Sequence, residues 1–303
     1  MRSFLAINKR NLYLYFRDYS AVFFSLLSML VIILLMVFFL GDINNDSLLD
    51  AIRLVPGRGG DEDANYVKNF SFLWTCAGIM TINASTVTHA FFSNMIKDRT
   101  GNRLNSLMVM PVKRPVFVLG YISAAWAAGV IMSIVTLVIT EIIGVINGID
   151  LLPLETNLEL ILLIMLNTFV YAAIMFLLAT VIKSQSAWSG IGIILGTLAG
   201  FLGGIYFPMG SMSDTMQKVV KCFPFIYGTS LFRKVMLKPL ESSFFEGTPE
   251  IIRSEVDKAM GMELFFGNTQ LSQYGKVGIL IAVGVVFIVL STICLTVCKK
   301  KDR

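Results

Sequence analysis

The sequence contains few charged residues and few side chains that commonly serve catalysis or metal binding. Only 15% of its 303 residues are charged, and it has a single histidine. Its four cysteines show neither zinc-site spacing nor the pattern of a disulfide framework; they are Cys76, Cys222, Cys294 and Cys298. The phosphate-binding pattern G-x-x-x-x-G-K-[ST] and the hydrolase patterns G-x-S-x-G and H-E-x-x-H are missing. These absences argue against a metal centre, a hydrolase site or an ATPase site, and no cofactor is expected in this chain.

Long apolar runs are the dominant feature of what remains. Hydrophobic residues make up 55% of the chain, and the mean hydropathy is +0.74. Runs of about 18 or more apolar residues can cross about 30 Å of hydrocarbon as helices. The pattern predicts a single all-α integral membrane domain over residues 1–303, with six transmembrane helices at about 21–40, 70–92, 116–142, 158–182, 188–207 and 276–298.

The charge distribution predicts the orientation of these spans, because Lys and Arg concentrate in cytoplasmic loops. The segments that share a side with the N-terminus contain 14 basic and 3 acidic residues; they are 1–20, 93–115, 183–187 and 299–303. The short loops on the other side, 41–69 and 143–157, contain 3 basic and 8 acidic residues, and the long segment 208–275 has 7 of each. We therefore expect a multi-pass cell-membrane protein with both termini in the cytoplasm.

Residues 4–19, before the first span, are partly amphipathic. Four apolar residues share a stripe at helical spacing, with two arginines roughly opposite; they are Leu5, Leu12, Phe16 and Tyr19, and Arg10 and Arg17. Two interpretations stay open: an interfacial helix on the membrane surface, and a plain extension of the first span.

The inner loop between the second and third spans, 93–115, is basic and has one apolar face. Leu104, Leu107 and Met108 recur at i, i+3 and i+4, as expected for a short helix within 96–110. Pro111 and Pro115 end that helix. Such a helix can rest on anionic lipid, or it can insert its apolar face into a groove on a cytoplasmic partner.

This loop resembles the coupling segment of the type-2 ATP-binding-cassette (ABC) exporter permeases, whose pattern is Glu-Arg-Glu-x-Gly-Thr-x-Glu-x-Leu-Leu-x-x-Pro-Val. Counting back from Pro111, Asp98 and Arg99 fall on the first acid and the arginine. Leu107 and Met108 fall on the two leucine positions, and Leu104 lies on the same apolar face three residues earlier. The sequence departs from the pattern at Thr100 and Asn105, where acids are usual, and at Gly101, one place early.

A second window, after the fifth span, resembles the same family. The family shows Gly-x-x-Phe-Pro, an amphipathic stretch, then Asn-Pro-x-x-Tyr and a downstream Arg. The matching residues here are Gly204, Phe207, Pro208, Pro224, Tyr227 and Arg233, with Phe223 in place of the Asn. Residues 213–236 are too polar and too broken to span, which indicates one or two re-entrant or interfacial helices over an outward exit, or ordinary surface helices.

The resemblance implies a permease subunit of an ATP-driven exporter. Its partners would be a nucleotide-binding ATPase subunit carrying ATP and magnesium, a second permease subunit, identical or different, and membrane lipid; nucleic acid is not expected. It assigns ATPase coupling to Lys97, Asp98, Arg99, Arg103, Leu104, Leu107 and Met108. It assigns an exit lid to Gly204, Phe207, Pro208, Pro224 and Tyr227.

Small and polar residues inside the spans indicate packing faces or a pathway. Glycines recur at i, i+4 in the fifth span, which predicts close contact with a helix of this subunit or of a partner; they are Gly192, Gly196, Gly200 and Gly204. Asn83, Thr86 and Asn167 either line a translocation path or bridge helices. His89 is expected at an interface rather than in a proton relay, and Glu141 lies near the outer boundary.

Two other functions compete with transport. A membrane sensor or assembly scaffold would bind its ligand through 208–275, and it would lack the stoichiometric ATPase that a transporter has. An intramembrane enzyme is disfavoured because the catalytic groupings are missing. The apolar spans, with 12% aromatic residues, suit an amphipathic drug, a peptide or a lipid-like substrate.

Overall fold

The structure, a computed structural model, describes residues 2–35, 45, 48–49, 53, 59–101, 113–244, 249–267 and 269–301. Its long helices are α1 (Arg2–Arg17), α2 (Tyr19–Leu35), α3 (Asp61–Thr100), α4 (Arg114–Ile146), α5 (Leu154–Val181) and α6 (Gln185–Leu202). Shorter elements follow: a 3₁₀ turn (Met209–Ser211), α7 (Asp214–Val220), α8 (Pro224–Met236), α9 (Lys238–Phe244) and α10 (Glu250–Ala259). Strands β1 (Phe265–Phe266) and β2 (Thr269–Gln270) pair antiparallel before α11 (Gln273–Lys301).

The predicted all-α membrane fold is confirmed. Among the described residues, five helices are long and apolar enough to cross a membrane, and six if the bent pair α1–α2 is one span. The five are α3 from Asp63, α4, α5, α6 and α11 as far as Thr296. The predicted first span, 21–40, coincides with α2 up to Leu35, and its remainder lies outside the described residues.

The chain bends by 69° between α1 and α2. Asp18 lies at the bend, and its Oδ1 accepts a hydrogen bond from the backbone N–H of Ala21 at 3.2 Å. An aspartate in this position caps the start of a helix. The structure therefore shows that residues 4–19 do not continue the first span as one straight helix.

The buried face of α1 differs from the predicted stripe. Ile7, Asn11 and Tyr15 are buried at i, i+4 and i+8, whereas Leu5 and Tyr19 are exposed. This face packs against α4, whose Gly120 allows the close approach of Ile7. Leu12 and Phe16 of the predicted stripe do pack against the core, so the stripe is wrong at Leu5 and Tyr19. It follows hydrophobicity alone, while the helix also buries Asn11 and a tyrosine against its neighbour.

Helix α3 lies at the centre of the bundle. Its most apolar stretch is 89% buried, against 17% for α6 and for α11, which lie at the periphery. Its 40 residues extend about 60 Å at about 1.5 Å per residue, roughly twice the hydrocarbon thickness. The predicted span 70–92 is shorter because hydropathy ends at charged residues such as Lys68 and Lys97, through which the helix continues.

The described residues of 203–272, here called the cap, cover the end of the bundle where α6 ends and α11 begins. Pro224 starts α8 at a position where its missing N–H costs nothing. Residues 225–233 of α8 are all buried, although the helix has only 13 residues and cannot span. The opposite end, marked by residues 97–99 at the end of α3, is here called the junction end.

Candidate functional site

Two ion pairs at the junction end hold α3 to the N-terminal helices. Lys97 Nζ lies 3.0 Å from Asp18 Oδ2, at the bend between α1 and α2. Asp98 Oδ2 lies 2.5 Å from Arg10 Nη2 of α1, and the Asp98 residue is only 7% exposed. The shielded Asp98–Arg10 pair contributes more to the stability of the fold than the exposed Lys97–Asp18 pair, since ion pairs on the surface contribute little.

Arg99, the next residue, contacts α5 instead. Its Nη1 donates hydrogen bonds to the carbonyl oxygens of Ala179, at 2.9 Å, and Ile182, at 2.5 Å. These carbonyls belong to the C-terminal end of α5, where the last turn leaves acceptors without helical partners. Three consecutive residues of α3 therefore contact α1, the α1–α2 bend and the end of α5.

The predicted coupling helix is only partly covered by the described residues. Residues 96–100 form the last turn of α3, so the described part of the 96–110 segment continues that helix. The remaining coupling residues lie outside the described residues; they are Arg103, Leu104, Leu107 and Met108.

A groove of about 400 Å³ opens between α2, α3 and α6, near the junction end. Its polar lining includes Asp18, Lys97, Gln185, Thr86, His89 and Ser93. Its apolar lining includes Phe24, Ala90 and Leu195. The groove therefore offers charged and polar groups next to hydrocarbon surface, which suits a molecule with a polar head and an apolar body.

His89 closes one side of this groove by packing on α6. Its ring stacks on the Trp188 indole with centroids 4.4 Å apart, and His89 Nε2 lies 3.0 Å from the Trp188 carbonyl oxygen. Trp188 Nε1 donates to Ser93 Oγ at 2.9 Å. A Cβ atom on Gly192 would lie 2.6 Å from His89 Cε1, so only glycine leaves room for the imidazole. Sequence reasoning missed Trp188 because an aromatic residue at a helix start gives no signal of its partner.

The three polar residues predicted for a pathway or a helix bridge have different positions. Asn83 is buried, and its Nδ2 donates to Thr136 Oγ1 of α4 at 2.9 Å, so it bridges two helices. Thr86 lines the groove. Asn167 is buried in α5 beside Gly228 of α8, where a Cβ atom would lie 2.7 Å from Asn167 Oδ1. Of the three, the structure places only Thr86 at the groove.

The residues assigned to an exit lid occur in two adjoining parts of the cap. Gly204 has a positive φ of +63° and adjoins Ile226 of α8. Pro208 precedes the 3₁₀ turn, and Phe207 is half exposed.

Tyr227 Oη donates to the Lys221 carbonyl oxygen at 2.6 Å, which joins α8 to the end of α7. Ile205, between these residues, is 1% exposed and packs against Gly78 of α3.

Residues 59–293 match the sequence family described as ABC-2 family transporter protein. This chain belongs to the ABC-2 family. The family match confirms the resemblance seen in the sequence and makes the chain a transmembrane subunit of an ABC transporter. A comparison with curated proteins found no match.

The glycine ladder of this ABC-2 protein is interrupted at its cap end. Gly192 contacts His89 of α3, and Gly200 adjoins Tyr206 in the following turn. Gly196 faces open space, since no described atom lies within 4 Å of the place that a Cβ atom would occupy there. Helix α6 ends at Leu202, so the prediction that Gly204 continues the ladder is wrong. Within the described part of the chain, Gly192 is the ladder residue that meets another helix of this subunit.

An ion-pair cluster joins three helices of the ABC-2 protein's cap. Lys234 Nζ of α8 lies 3.2 Å from Glu241 Oε1 of α9 and 3.6 Å from Asp257 Oδ2 of α10. Arg253 Nη2 donates to Glu241 Oε2 at 2.7 Å. Burial raises the pKa of Asp257 to about 6, with Glu241 and Glu263 adding to the increase and Lys234 and Arg253 opposing it.

We expect the cap to become more stable on acidification. The pKa of Asp257 is raised in the folded protein from the ordinary 3.8, so the folded state binds this proton more tightly than the unfolded state. Stability should therefore fall as the pH rises from about 4 to about 6 and then stay level. Thermal unfolding of the wild type and of Asp257→Asn across this range measures the effect. An equal pH dependence in both proteins would contradict the assignment.

Proposed function

We propose that this ABC-2 protein is the permease subunit of an ATP-driven exporter of amphipathic molecules. An ATPase subunit that holds ATP and magnesium docks at the junction end, which faces the cytoplasm. The observation that carries the proposal is the contact set of Lys97, Asp98 and Arg99. Asp98 and Arg99 belong to the segment whose sequence resembles the ABC coupling segment, and Lys97 directly precedes it.

The junction gives a mechanical route from the ATPase into the membrane. A displacement of residues 102–112 enters α3 through its last turn. Because Lys97, Asp98 and Arg99 each contact a different element, the displacement acts together on α1, on the α1–α2 bend and on α5. Helix α3 is continuous from Asp61 to Thr100, so the same motion reaches the cap. The spans would tilt together as rigid bodies.

The groove supports both the substrate class and a paired subunit. Its polar groups, including Lys97 and His89, lie beside apolar groups such as Phe24, which favours an amphipathic drug, peptide or lipid-like molecule. Among the described residues the groove is open on one side, where α6 presents Ile193 and Leu198 with exposures of 70% and 48%. A second permease subunit, identical or different, would close the groove, and the substrate would leave beneath the cap.

Purification of the tagged chain from its native membrane in mild detergent tests this function. We expect a stoichiometric ATP-hydrolysing chain to co-purify, and inside-out vesicles containing the complex to accumulate a fluorescent amphipathic cation when ATP is added. Vesicles without ATP are the control. A chain that purifies without any ATPase would contradict the proposal and favour the sensor or scaffold. Uptake in the opposite vesicle orientation would contradict the export direction.

A further inference from the structure

Arg233 of α8 is a fully buried cation at the centre of the cap. Its guanidinium carbon lies 3.8 Å from the centroid of the Trp74 ring of α3. Its Nη2 donates to the Gly204 carbonyl oxygen at 2.7 Å, and its Nη1 donates to the Met260 carbonyl oxygen at 2.9 Å. One side chain therefore contacts α3, the turn after α6 and the turn after α10.

The partners of Arg233 are unusual for a buried charge. Both acceptors are neutral backbone carbonyls, and in the described part of the chain no carboxylate forms an ion pair with the guanidinium. Burying a charge costs several kcal/mol, and an apolar side chain of the same size often stabilises a protein as well or better. Hydrogen bonds to carbonyls are also weaker than bonds between two charged groups. Simple stability of the cap therefore does not explain an arginine here.

The backbone at both acceptors is shaped to meet the guanidinium. Gly204 has φ +63°, and Gly261, directly after Met260, has φ +69°; both values favour glycine. A Cβ atom on Gly261 would lie 3.0 Å from Arg233 Nη1. The Met260 carbonyl also accepts a hydrogen bond from Trp74 Nε1 at 2.8 Å, so α3 and α8 hold the same oxygen. A small rotation of the backbone at Gly204, or of the peptide between Met260 and Gly261, would redirect the acceptor carbonyl and break the contact.

We propose that Arg233 is a positioning residue that holds the cap closed against α3 and releases it when α3 moves. This proposal rests on the proposed function, in which the substrate leaves beneath the cap. Arg233 itself does not contact the substrate. Ile205, the cap residue next to Gly204, is buried against Gly78 of α3 while the cap is closed.

The labelling rate of a cysteine at position 205 tests this role. Ile205→Cys is introduced after the native cysteines are replaced as Cys76→Ala, Cys222→Ser, Cys294→Ala and Cys298→Ala. The purified chain in lipid nanodiscs, which expose both faces, is treated with a charged maleimide. We expect slow labelling when Arg233 is present and at least about tenfold faster labelling in Arg233→Met, because local opening of the cap sets the rate. Arg233→Lys, which cannot bond both carbonyls while stacking, should be intermediate.

Two controls separate a cap contact from general destabilisation. Arg253→Met removes an arginine from α10 that pairs with Glu241, and it should leave the labelling of position 205 unchanged. A cysteine at Ala128, fully buried in α4, should stay unreactive in every variant. If Arg233→Met made both buried cysteines reactive, the residue would be structural and the proposal would be overturned.

The proposal would also be overturned if folded Arg233→Met labelled at the wild-type rate. Should that variant fail to fold, Gly261→Ala provides a second test, because it strains the turn that presents the Met260 carbonyl. It should also accelerate labelling of position 205, and an unchanged rate would reject the role of Arg233. The measurement needs neither ATPase nor substrate, so its failure and a failure of the proposed function can be told apart.

Discussion

The double variant Leu104→Asp/Leu107→Asp is expected to insert normally and to lose ATP-driven transport completely. Both leucines lie on the predicted apolar face of the coupling segment. Burying an unpaired carboxylate in an interface costs about 2 kcal/mol or more, so two should weaken docking of the ATPase by roughly a thousandfold. ATP-dependent vesicle uptake and co-purification of the ATPase are the measurements.

The same segment offers a matched control for this prediction. Asn102→Asp/Asn105→Asp adds the same two charges at neighbouring polar positions. This control variant should keep most of its transport and its ATPase, since those positions do not belong to the apolar face. Equal loss in the two double variants would indicate a general charge effect, and normal transport in the leucine variant would remove the coupling assignment.

Gly78→Leu is expected to destabilise the protein by about 2 to 3 kcal/mol, the upper part of the range for overfilling a packed core. A side chain at this position of α3 would overlap Cγ1 and Cδ1 of Ile205, which is 1% exposed and has little room to move. Leucine itself favours a helix, so the loss comes from the overlap and not from helix propensity. Unfolding in mixed micelles measures the change.

A second change can compensate for the first at this contact. Ile205→Ala removes the overlapping atoms, so the double variant should be more stable than the sum of the two single losses by at least about 1 kcal/mol. Gly196→Leu is the matched control, because no described atom lies within 4 Å of a Cβ atom placed there. It should cause no loss of stability, because nothing overlaps there and leucine favours a helix over glycine. Equal losses for positions 78 and 196 would show that the Gly78–Ile205 contact has no special weight.

The membrane spans could be predicted because a helix that crosses the hydrocarbon core needs about 20 consecutive, mainly apolar residues. The predicted fourth span, 158–182, differs little from α5, Leu154–Val181. The ends of α3 were not predictable in this way, since Asp61–Asn69 and Ser93–Thr100 are polar helix beyond the hydrocarbon. Hydropathy identifies the part of a helix that lies in lipid, and it gives no information on the part that continues into water.

Capping residues mark two helix ends that the apolar periodicity does not show. Asp18 separates two helical stretches and is a strong helix-capping residue, which favours a break there. The pair Gly203–Gly204 follows α6, where glycine commonly ends a helix, so the spacing of the glycines extends the predicted fifth span too far. The first signal favours one of the two interpretations left open for residues 4–19, and the error in the fifth span comes from giving periodicity more weight than capping.

The pairing of polar residues was beyond sequence reasoning. The sequence identified Lys97, Asp98 and Arg99 as a polar group, but their partners are 79 or more residues away and depend on the packing of whole helices. Arg233 stood out as a downstream arginine in an apolar stretch, yet nothing indicated that Trp74 would lie against it. The sequence shows which chemical groups are available, and only the fold shows which of them are in contact.

The contact between Gly192 and His89 also constrains how this protein can diverge. Any larger residue at 192 would occupy the space of the imidazole, so such a substitution is tolerated only after position 89 has lost its ring. Relatives should therefore combine glycine with an aromatic residue at these two sites, or a bulkier residue with a small one. A lineage that acquires the large pair together would separate α6 from α3 and widen the groove, and so increase the size of the molecule that the proposed pathway would admit.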